Sequence, residues 1–435
     1  MISQWFSTDN KEVISPTFCP VPWTLEYFES DGREALCCKS LLRKNSDWNG
    51  PEMKQLRLNM LSGKKSKDCT VCYKEDENEK NLSLRLLYLT WGRLSSEVDL
   101  VDYAKQTKPD GTFNQRAQIL HLTLGNACTG QCNMCSPWNS SALHSPYKKI
   151  SEKLGYDYQY NPDDYKWVND DEIWEKKYYP KIHSGLRSLY LVGGEPMIID
   201  RNYKVLKYCV DNDFAKNIRL YYSTNTMQMV PEEVQLLWRE FKHVHLDLSI
   251  DDIHERNEYI RYPSKFEQTL EFVEWCDNET DDNVSIGVGT TIQNLNIYYL
   301  PEIQDWWFKQ NYKKINKNLG GFVYVHMLNL PERCSPSRLP LKAKELIKTK
   351  ITNWLCRDLN YQCSSNHPQI IENSKWAQTR IMSLLTHMYD KGISSLDKSD
   401  EEHFDDFLKW TTALDGTRNT NYLNVFPVFR EFVNG

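Results

Sequence analysis

The chain has 435 residues, and its 53 Lys and Arg against 59 Asp and Glu give a formal net charge of −6. Hydrophobic residues make up 40% and charged residues 26% of the chain, a composition that is typical of globular proteins and excludes a disordered one. No run approaches the roughly 18 apolar residues of a membrane span, the N-terminus has no apolar signal core, and the acidic balance argues against a general nucleic-acid binder. These features predict a soluble, cytoplasmic protein with about three domains.

The 13 cysteines are an odd number, which makes a disulfide framework a poor explanation for an intracellular chain. Reduced cysteines are usually buried small side chains or metal ligands, and their spacing distinguishes the two. Eight of them cluster, five before residue 73 and three over residues 128–135. The other five are scattered: Cys209, Cys276, Cys334, Cys356 and Cys363.

Residues 1–95 are predicted to form a small, irregular module. Three prolines over residues 16–22 and the Asp31-Gly32 turn signal interrupt any periodic pattern. A domain with so little core usually needs a metal or disulfides for stability. Residues 83–107 are predicted to be a helical link that ends at the turn Pro109-Asp110-Gly111.

From residue 116 to 330, short apolar runs alternate with amphipathic stretches, which indicates βαβ units and a parallel sheet. We therefore predict an α/β fold with a partial (β/α)6 TIM-like barrel and helices outside it. Extra helices or a lid are expected over 145–182, and a helical C-terminal extension over 331–435. The predicted strands are Ile119–Leu124, Ser188–Val192, Ile218–Ser223, Val244–Ile250, Val284–Ile292 and Phe322–Met327. The predicted helices between them include Tyr203–Asp211, Pro231–Glu240, Lys265–Trp275 and Leu300–Phe308.

Two of the predicted strands carry polar residues at every second position. In the strand Val244–Ile250, the period of two places His245, Asp247 and Ser249 on one face and aliphatic side chains on the other. The strand Val284–Ile292 repeats this alternation. A polar lumen predicts a cavity with a ligand, although polar residues that satisfy one another inside the barrel are an equally good interpretation.

Three cysteines follow the first barrel strand in a C-x3-C-x2-C pattern, namely Cys128, Cys132 and Cys135. Three thiolates on one loop can hold three irons of a four-iron cluster and leave the fourth iron open. Their place at the C-terminal end of a barrel strand favours a catalytic role, because functional groups gather there. The alternative is a set of unrelated buried thiols.

With the apolar Met134 before its last cysteine, this triplet resembles the signature of the radical SAM superfamily. The resemblance implies a [4Fe-4S] cluster whose open iron binds S-adenosyl-L-methionine (SAM). It also implies reductive cleavage of SAM to a 5′-deoxyadenosyl radical that abstracts hydrogen from a substrate. An electron donor such as flavodoxin or ferredoxin is the expected partner.

Further segments resemble this family in chain order, each one after a predicted strand. Gly193-Gly194-Glu195-Pro196 is similar to the GGEP loop that meets the methionine amino group, where two glycines let the backbone approach and Glu195 can accept from an ammonium. Arg261 is implied to pair with the methionine carboxylate, and Asp251 and Asn296 also match family positions. The cofactor-binding residues that the resemblance implies are Gly193, Gly194, Glu195, Pro196, Ser223, Asn225, Ser249, Arg261 and Met134.

The N-terminal cysteines resemble a twitch domain, the short form of the SPASM auxiliary-cluster module of radical SAM enzymes. The module usually follows the barrel, whereas here it precedes it, as in a subgroup of twitch domain-containing radical SAM proteins. The resemblance implies a second, auxiliary [4Fe-4S] cluster, and Cys38 is an alternative to Cys37. A zinc ion is the other interpretation, because four thiolates suit it equally well. The predicted ligands are Cys19, Cys37, Cys69 and Cys72.

The leading hypothesis is an enzyme whose substrate is a peptide, a protein or a small molecule, with peptide modification as the first expectation. Cys334 follows the last predicted strand and is a candidate hydrogen-atom donor, although a loop thiol without a role is the simpler interpretation. The competing hypothesis is a nonenzymatic zinc- or iron–sulfur-binding protein with an interaction role. The chain's acidic balance opposes a nucleic-acid partner.

Overall fold

The computed structural model describes residues 14–40, 46–77, 83–89, 99–310, 312–315, 323–357, 379–389 and 398–433. The scattered Cys363 and the predicted strand start at Phe322 lie outside these residues. So do residues 90–98 of the predicted helical link.

Eight strands form one mixed, mostly parallel sheet in the order β2-β1-β3-β4-β5-β6-β7-β8. The six strands predicted from the apolar runs are confirmed as β3 to β8, and they follow one another in the sheet in chain order. This arrangement is consistent with a partial radical SAM barrel. The strands are Leu25–Phe28 (β1), Glu34–Ala35 (β2), Ile119–Thr123 (β3), Ser188–Val192 (β4), Arg219–Thr224 (β5), His243–Ser249 (β6), Val284–Ile292 (β7) and Tyr324–Met327 (β8).

Helices connect the barrel strands and fill most of the described C-terminal region. The four helices predicted between the strands are confirmed, with ends that differ by up to three residues. Up to the last strand, the α-helices are Val21–Thr24, Pro51–Leu61, Thr70–Glu77, Leu84–Leu87, Leu100–Lys105, His144–Leu154, Asp171–Ile173, Asp200–Asp211, Glu232–Trp238, His254–Ile260, Phe266–Asn278 and Leu300–Lys309. Beyond it come Leu341–Arg357, Asp400–Arg418, Tyr422–Val425 and Phe429–Val433, with a further helical stretch over 379–387.

The chain divides into two compact units, and the first comprises Met1–Gly125, Pro162–Tyr222 and Pro231–Val244. In this unit β1 lies parallel to β3 with Leu25 opposite Ile119, and β3 lies parallel to β4 with Ile119 opposite Ser188. The short β2 lies antiparallel to β1.

The N-terminal residues of this unit form a substantial hydrophobic core, so the expectation of an irregular segment with little core is wrong. Phe18, Trp23, Met60 and Phe113 are all buried in one cluster. The guanidinium of Arg57 lies within the same region and donates to the carbonyl oxygens of nearby loops. Burial of these apolar side chains stabilises the segment.

The second unit comprises Asn126–Asn161, Ser223–Val230 and His245–Gly435. Its strands β7 and β8 are parallel, with Gly289 opposite Tyr324. The predicted alternation on β6 and at the start of β7 is confirmed, because the aliphatic positions are buried and the polar ones are half-buried. A capping box at Ser399 and Glu402 begins the helix Asp400–Arg418, and reciprocal capping of this kind stabilises a helix start.

Extra helices do occupy the long connection between β3 and β4, as the sequence predicts. Among the described helices, none is both long and apolar enough to cross a membrane.

Candidate functional site

The cysteine triplet lies on a loop of the second unit that its own hydrogen bonds hold closed. The side-chain nitrogen of Asn126 donates to the carbonyl oxygen of Pro137 and to the hydroxyl of Tyr160, both at 2.8 Å. The backbone N–H of Ser141 donates to the carbonyl oxygen of Asn126 at 2.8 Å. The Ser140 hydroxyl donates to the carbonyl oxygen of Gly130 at 2.5 Å. These bonds fix the path of the chain around the three thiols.

Two of the thiols converge on Gly130. A Cβ atom at this glycine would lie 3.5 Å from both Cys128 Sγ and Cys132 Sγ. The backbone N–H of Gly130 donates to Cys128 Sγ at 3.3 Å, and the side-chain nitrogen of Asn225 donates to the same sulfur at 3.4 Å. Both donors favour a negatively charged sulfur.

The side chain of Arg261 lies beside the sulfur of Cys132. Its Nε donates to Asp251 Oδ2 at 2.7 Å, and its Nη1 is 3.9 Å from Cys132 Sγ. Burial alone would lower the pKa of Arg261, but Asp251 and Cys132 raise it above its usual range. The guanidinium therefore remains charged next to the thiol.

The segment that carries Arg261 also supports the backbone of the triplet. The N–H of Gln131 donates to the carbonyl oxygen of Tyr262 at 2.6 Å, and the N–H of Asn133 donates to that of Ile260 at 2.8 Å. The cysteine loop and the segment 260–262 thus form one hydrogen-bonded structure. A change in one would displace the other.

The charge environment of the triplet fits an anionic cluster. Burial raises the pKa of Cys132, and it raises that of Cys135 to about 12, so both are neutral as free thiols near pH 7. A metal centre that binds thiolates supplies the positive charge that offsets this burial. The nearby guanidinium groups of Arg261 and Arg418 lower the pKa of Cys132 in the same sense. Three thiols on one loop, with donors aimed at their sulfurs, therefore fit a [4Fe-4S] cluster.

Asp251 and Asn296 have structural partners. The carboxylate of Asp251 accepts from the N–H of Thr291 at 2.8 Å in addition to Arg261. The side-chain nitrogen of Asn296 donates to the carbonyl oxygens of Asp251 and Thr291 at 2.8 and 2.9 Å. Asn296 therefore positions the end of β7 and the turn after β6.

The other predicted SAM-binding residues of the second unit differ in accessibility. Asn225 is buried, and its Oδ1 accepts from the N–H of Met227 at 2.9 Å. Ser249 and Met134 are half-buried, and Ser223 is exposed at the end of β5.

The segment Gly193-Gly194-Glu195-Pro196 belongs to the first unit and follows β4 directly. Gly193 has a φ of +144°, and a Cβ there would lie 2.9 Å from the backbone nitrogen of Leu124. Only glycine fits this close approach. Glu195 is fully buried and accepts from the N–H of Met197 at 3.1 Å, which caps the short 3₁₀ helix Pro196–Ile198.

The four N-terminal cysteines predicted as ligands line a common cavity in the first unit. The cavity encloses an empty space of about 480 Å³, including the part open to solvent, and Arg85 and Lys39 also line it. Cys38 is exposed and does not line this cavity, whereas Cys37 does. The four lining cysteines are Cys19, Cys37, Cys69 and Cys72.

These thiols come from separate elements that the fold brings together. Cys19 precedes the helix Val21–Thr24, and Cys37 follows β2. Cys69 ends a 3₁₀ helix and Cys72 lies in the next α-helix. Burial and, to a smaller extent, the neighbouring Cys37 raise the pKa of Cys69 and of Cys72 to about 12. Four thiols around one space fit a cluster with four cysteine ligands.

Within the described residues, no group of three or more His, Cys, Asp or Glu is arranged to hold a single metal ion. A four-iron cluster is larger than a single ion and does not require such an arrangement.

Residues of the C-terminal helix Asp400–Arg418 contact the cysteine loop, which the sequence analysis missed. Arg418 donates to the carbonyl oxygen of Gln131, and its guanidinium lies 5.0 Å from the ring centre of Tyr262. Asp415 accepts from the hydroxyl of Tyr259 at 2.8 Å. No motif marks these residues, because their partners lie far away in the sequence.

A second contact missed by the sequence analysis joins the loop after β8 to Cys135. The hydroxyl of Tyr147 donates to the carbonyl oxygen of Cys135 at 2.7 Å and accepts from Arg333 Nη2 at 3.2 Å. The guanidinium of Arg333 stacks 3.9 Å from the ring centre of Trp410. The neighbouring Cys334 is fully buried, and burial raises its pKa to about 11.

Residues 122–297 match the family model of the Radical SAM superfamily. No curated protein sequence matches the chain. Among solved structures, the chain is similar to Streptococcus suis SuiB bound to S-adenosylmethionine, with 11% identity and a TM-score of 0.33 over 73% of this chain and 65% of that one. SuiB bound to the precursor peptide SuiA has 12% identity and a TM-score of 0.35 over the same shares.

A further structure of Streptococcus suis SuiB has 11% identity and a TM-score of 0.32 over 80% of this chain and 70% of that one. In the first two comparisons, the chain spans slightly less than two thirds of SuiB's length. The family match favours an enzyme over the nonenzymatic alternative. Residues 122–297 form a radical SAM domain, and such a domain indicates a radical SAM enzyme.

Proposed function

We propose that Cys128, Cys132 and Cys135 hold a [4Fe-4S] cluster at which SAM is reductively cleaved, and that hydrogen is then abstracted from a substrate. When bound, the cluster supplies the electron that breaks the sulfonium bond of SAM. The observation that carries the proposal is the closed cysteine loop with hydrogen-bond donors directed at its sulfurs.

In this proposal the residues around the triplet stabilise charge and fix its position. Asn225 and the N–H of Gly130 donate to Cys128 Sγ, which stabilises the thiolate. Arg261 keeps its charge beside Cys132 because Asp251 pairs with its Nε, and the guanidinium has further N–H donors that can bind a carboxylate. We assign to it the carboxylate of the methionine part of SAM.

The remaining SAM contacts are proposed from the family resemblance. Glu195 accepts from the methionine ammonium, and the backbone of Gly193, Gly194 and Pro196 lies along it. The proposed contacts of the second unit are Ser223, Asn225, Ser249, Arg261 and Met134.

We further propose that the N-terminal cysteines hold an auxiliary [4Fe-4S] cluster in a twitch-like module. The shared cavity supports Cys19, Cys37, Cys69 and Cys72 as its ligands, and the exposure of Cys38 favours Cys37 over it. This centre would accept an electron from the substrate radical or bind the substrate directly.

The proposed substrate is a peptide or protein, and flavodoxin or ferredoxin is the proposed electron donor. Cys334 is proposed as a hydrogen-atom donor, and its complete burial requires that the substrate reach it through a local rearrangement.

The SAM-binding cluster is tested by electron paramagnetic resonance of the anaerobically reconstituted, dithionite-reduced protein. We expect a four-iron signal that changes when SAM is added, because SAM binds the open iron. The triple variant Cys128→Ala, Cys132→Ala, Cys135→Ala should lose this response. A response that survives in the triple variant would contradict the assignment.

The auxiliary cluster is tested by iron and sulfide analysis of the same preparations. About eight irons per chain are expected for two clusters and about four for one. The double variant Cys69→Ala, Cys72→Ala should lose about four irons and retain the response to SAM. Zinc in place of these irons would contradict an auxiliary iron–sulfur cluster. Substitution of Cys19 should spare some uncoupled SAM cleavage while product formation is lost.

A further inference from the structure

The polar face of β6 and β7 in the second unit contains an acidic side chain with no role in the SAM site. Asp247 lies between the buried Leu246 and Leu248, and it is itself half-buried, so its carboxylate remains partly accessible. Ser249 follows on the same face and is one of the proposed SAM contacts.

Two histidines next to this face have hydrogen-bond partners, whereas within the described residues Asp247 has none. His245 Nδ1 is 2.8 Å from the hydroxyl of Ser285, and His326 Nε2 is 2.9 Å from the hydroxyl of Thr291. Within the described part of the chain, no hydrogen bond or ion pair involves the carboxylate of Asp247. Among the same residues, the charged groups that influence this carboxylate are Arg261 and Asp251, which are bonded to each other.

Two glycines on the neighbouring strand β7 leave room for the polar side chains of β6. A Cβ at Gly289 would lie 2.6 Å from Asp247 Oδ1 and 3.0 Å from Oδ2, so a side chain there would displace the carboxylate. A Cβ at Gly287 would lie 3.6 Å from His245 Nε2. The carboxylate of Asp247 thus occupies its position because residue 289 has no side chain.

We infer that Asp247 is a specificity-determining residue that binds a cationic group of the substrate, a protonated amine or a guanidinium such as a Lys or Arg side chain carries. A partly buried carboxylate without a partner is costly, and a cation with several N–H donors would offset that cost. The inference rests on the proposed function, because it places the substrate beside the proposed SAM contact Ser249. For a peptide substrate, it predicts a basic residue at or next to the site of modification.

The ionisation of Asp247 is compatible with this role. Burial raises the pKa of Asp247 to about 6, Arg261 opposes that rise, and Asp251 adds to it. The carboxylate is therefore mainly ionised at pH 7.5 and can bind a cation. His245 and His326 face the same space and have the hydroxyl partners described above.

The test is calorimetric titration of the reconstituted, SAM-loaded protein at pH 7.5 under anaerobic conditions. The probes are the Nα-acetyl, N-methylamide derivatives of lysine and arginine, with the norleucine derivative as the uncharged control. We expect at least one cationic probe to bind with a Kd of about 10 mM or tighter, and the norleucine probe to bind at least tenfold more weakly.

Asp247→Asn should weaken the cationic probe by about tenfold or more and leave the norleucine probe unchanged. Gly289→Ala should have the same effect, because the new methyl group displaces the carboxylate. Glu255→Gln, which removes an exposed carboxylate from the same unit, is the matched control and should change nothing. Thermal unfolding of each variant verifies that it is folded.

Equal affinity of wild type and Asp247→Asn for the cationic probes would overturn the inference. So would equal binding of the norleucine probe, or no binding of either cationic probe to the wild-type protein. The magnetic-resonance response to SAM, recorded on the same samples, distinguishes this failure from a failure of the proposed function. If the response is present and cation binding is absent, only the role of Asp247 is wrong.

Discussion

The carboxylate of Asp415 joins the C-terminal helix to the segment that carries Arg261. It accepts from the hydroxyls of Tyr259 and Thr420 at 2.8 and 2.6 Å and from the N–H of Tyr422 at 2.9 Å. Burial raises the pKa of Tyr259 well above its usual range, and the negative Asp415 raises it further. The phenol is therefore a proton donor to this carboxylate at any pH at which the protein is studied.

The replacement Asp415→Ala removes all three hydrogen bonds at once. Hydrogen bonds to a charged group contribute about 1.5–3 kcal/mol each, but their contributions overlap. Tyr259 is 4% exposed and keeps an unsatisfied hydroxyl, whereas Thr420 is close enough to solvent to find water. The substitution also removes the buried charge of Asp415, which is favourable and offsets part of the free energy lost with the hydrogen bonds. We therefore expect the free energy of unfolding to fall by about 3 kcal/mol, and by about 1 kcal/mol for Tyr259→Phe.

The assay is urea unfolding followed by circular dichroism under anaerobic conditions, for both single variants and the double variant. Because Tyr259 loses its partner in Asp415→Ala, Tyr259→Phe should cost almost nothing in that background. The double-mutant cycle should then give a coupling of about 1 kcal/mol. A loss below about 0.5 kcal/mol for Asp415→Ala, or additive effects of the two substitutions, would refute the reasoning.

Three further predictions concern single residues. Arg57→Met should lower the free energy of unfolding by about 3 kcal/mol in a urea titration, because three acceptors, of which the carbonyl oxygen of Pro22 is buried, lose donors at 2.8 Å; a change below about 1 kcal/mol would contradict this. Gly193→Ala should cost about 2 kcal/mol or more, because its methyl group would lie 2.9 Å from a backbone nitrogen, and a thermal melt like that of wild type would contradict it. Asp247→Asn should stabilise the protein by about 1–2 kcal/mol above pH 6, since the native pKa of about 6 is higher than that of the unfolded chain and the ionised carboxylate is a cost there. This advantage should shrink as the pH falls from about 6 to about 4 and vanish well below pH 4, where both states are protonated, and a difference that is constant with pH would contradict it.

The barrel strands could be predicted closely from their alternation. The prediction Val284–Ile292 has the observed bounds, and Val244–Ile250 differs from His243–Ser249 by one residue at each end. These strands lie between turn residues and carry aliphatic side chains at every second position, so the local pattern suffices.

The strand β1 could not be predicted in this way. All four of its residues are buried, including Glu26, which pairs with Lys181. A short segment that contains a carboxylate and follows several prolines is typical of a surface loop. Its partner lies 155 residues away in the sequence, and only the fold reveals the pair.

The candidate site also combines a feature that is local in the sequence with contacts between residues that are far apart in it. The spacing of Cys128, Cys132 and Cys135 is local, and so the sequence alone identified this group. The contact between Arg418 and Gln131 joins residues 287 positions apart, and neither belongs to a recognisable motif. For that reason the role of the C-terminal helix in supporting the cysteine loop became visible only in the structure.

The most direct test of the account is the formation of 5′-deoxyadenosine from SAM by the reconstituted, reduced protein, measured by chromatography. Wild-type protein should form 5′-deoxyadenosine, and the triple variant of Cys128, Cys132 and Cys135 should form none. The double variant of Cys69 and Cys72 should still form it. No 5′-deoxyadenosine from a wild-type protein that contains its iron, or undiminished formation by the triple variant, would contradict the account.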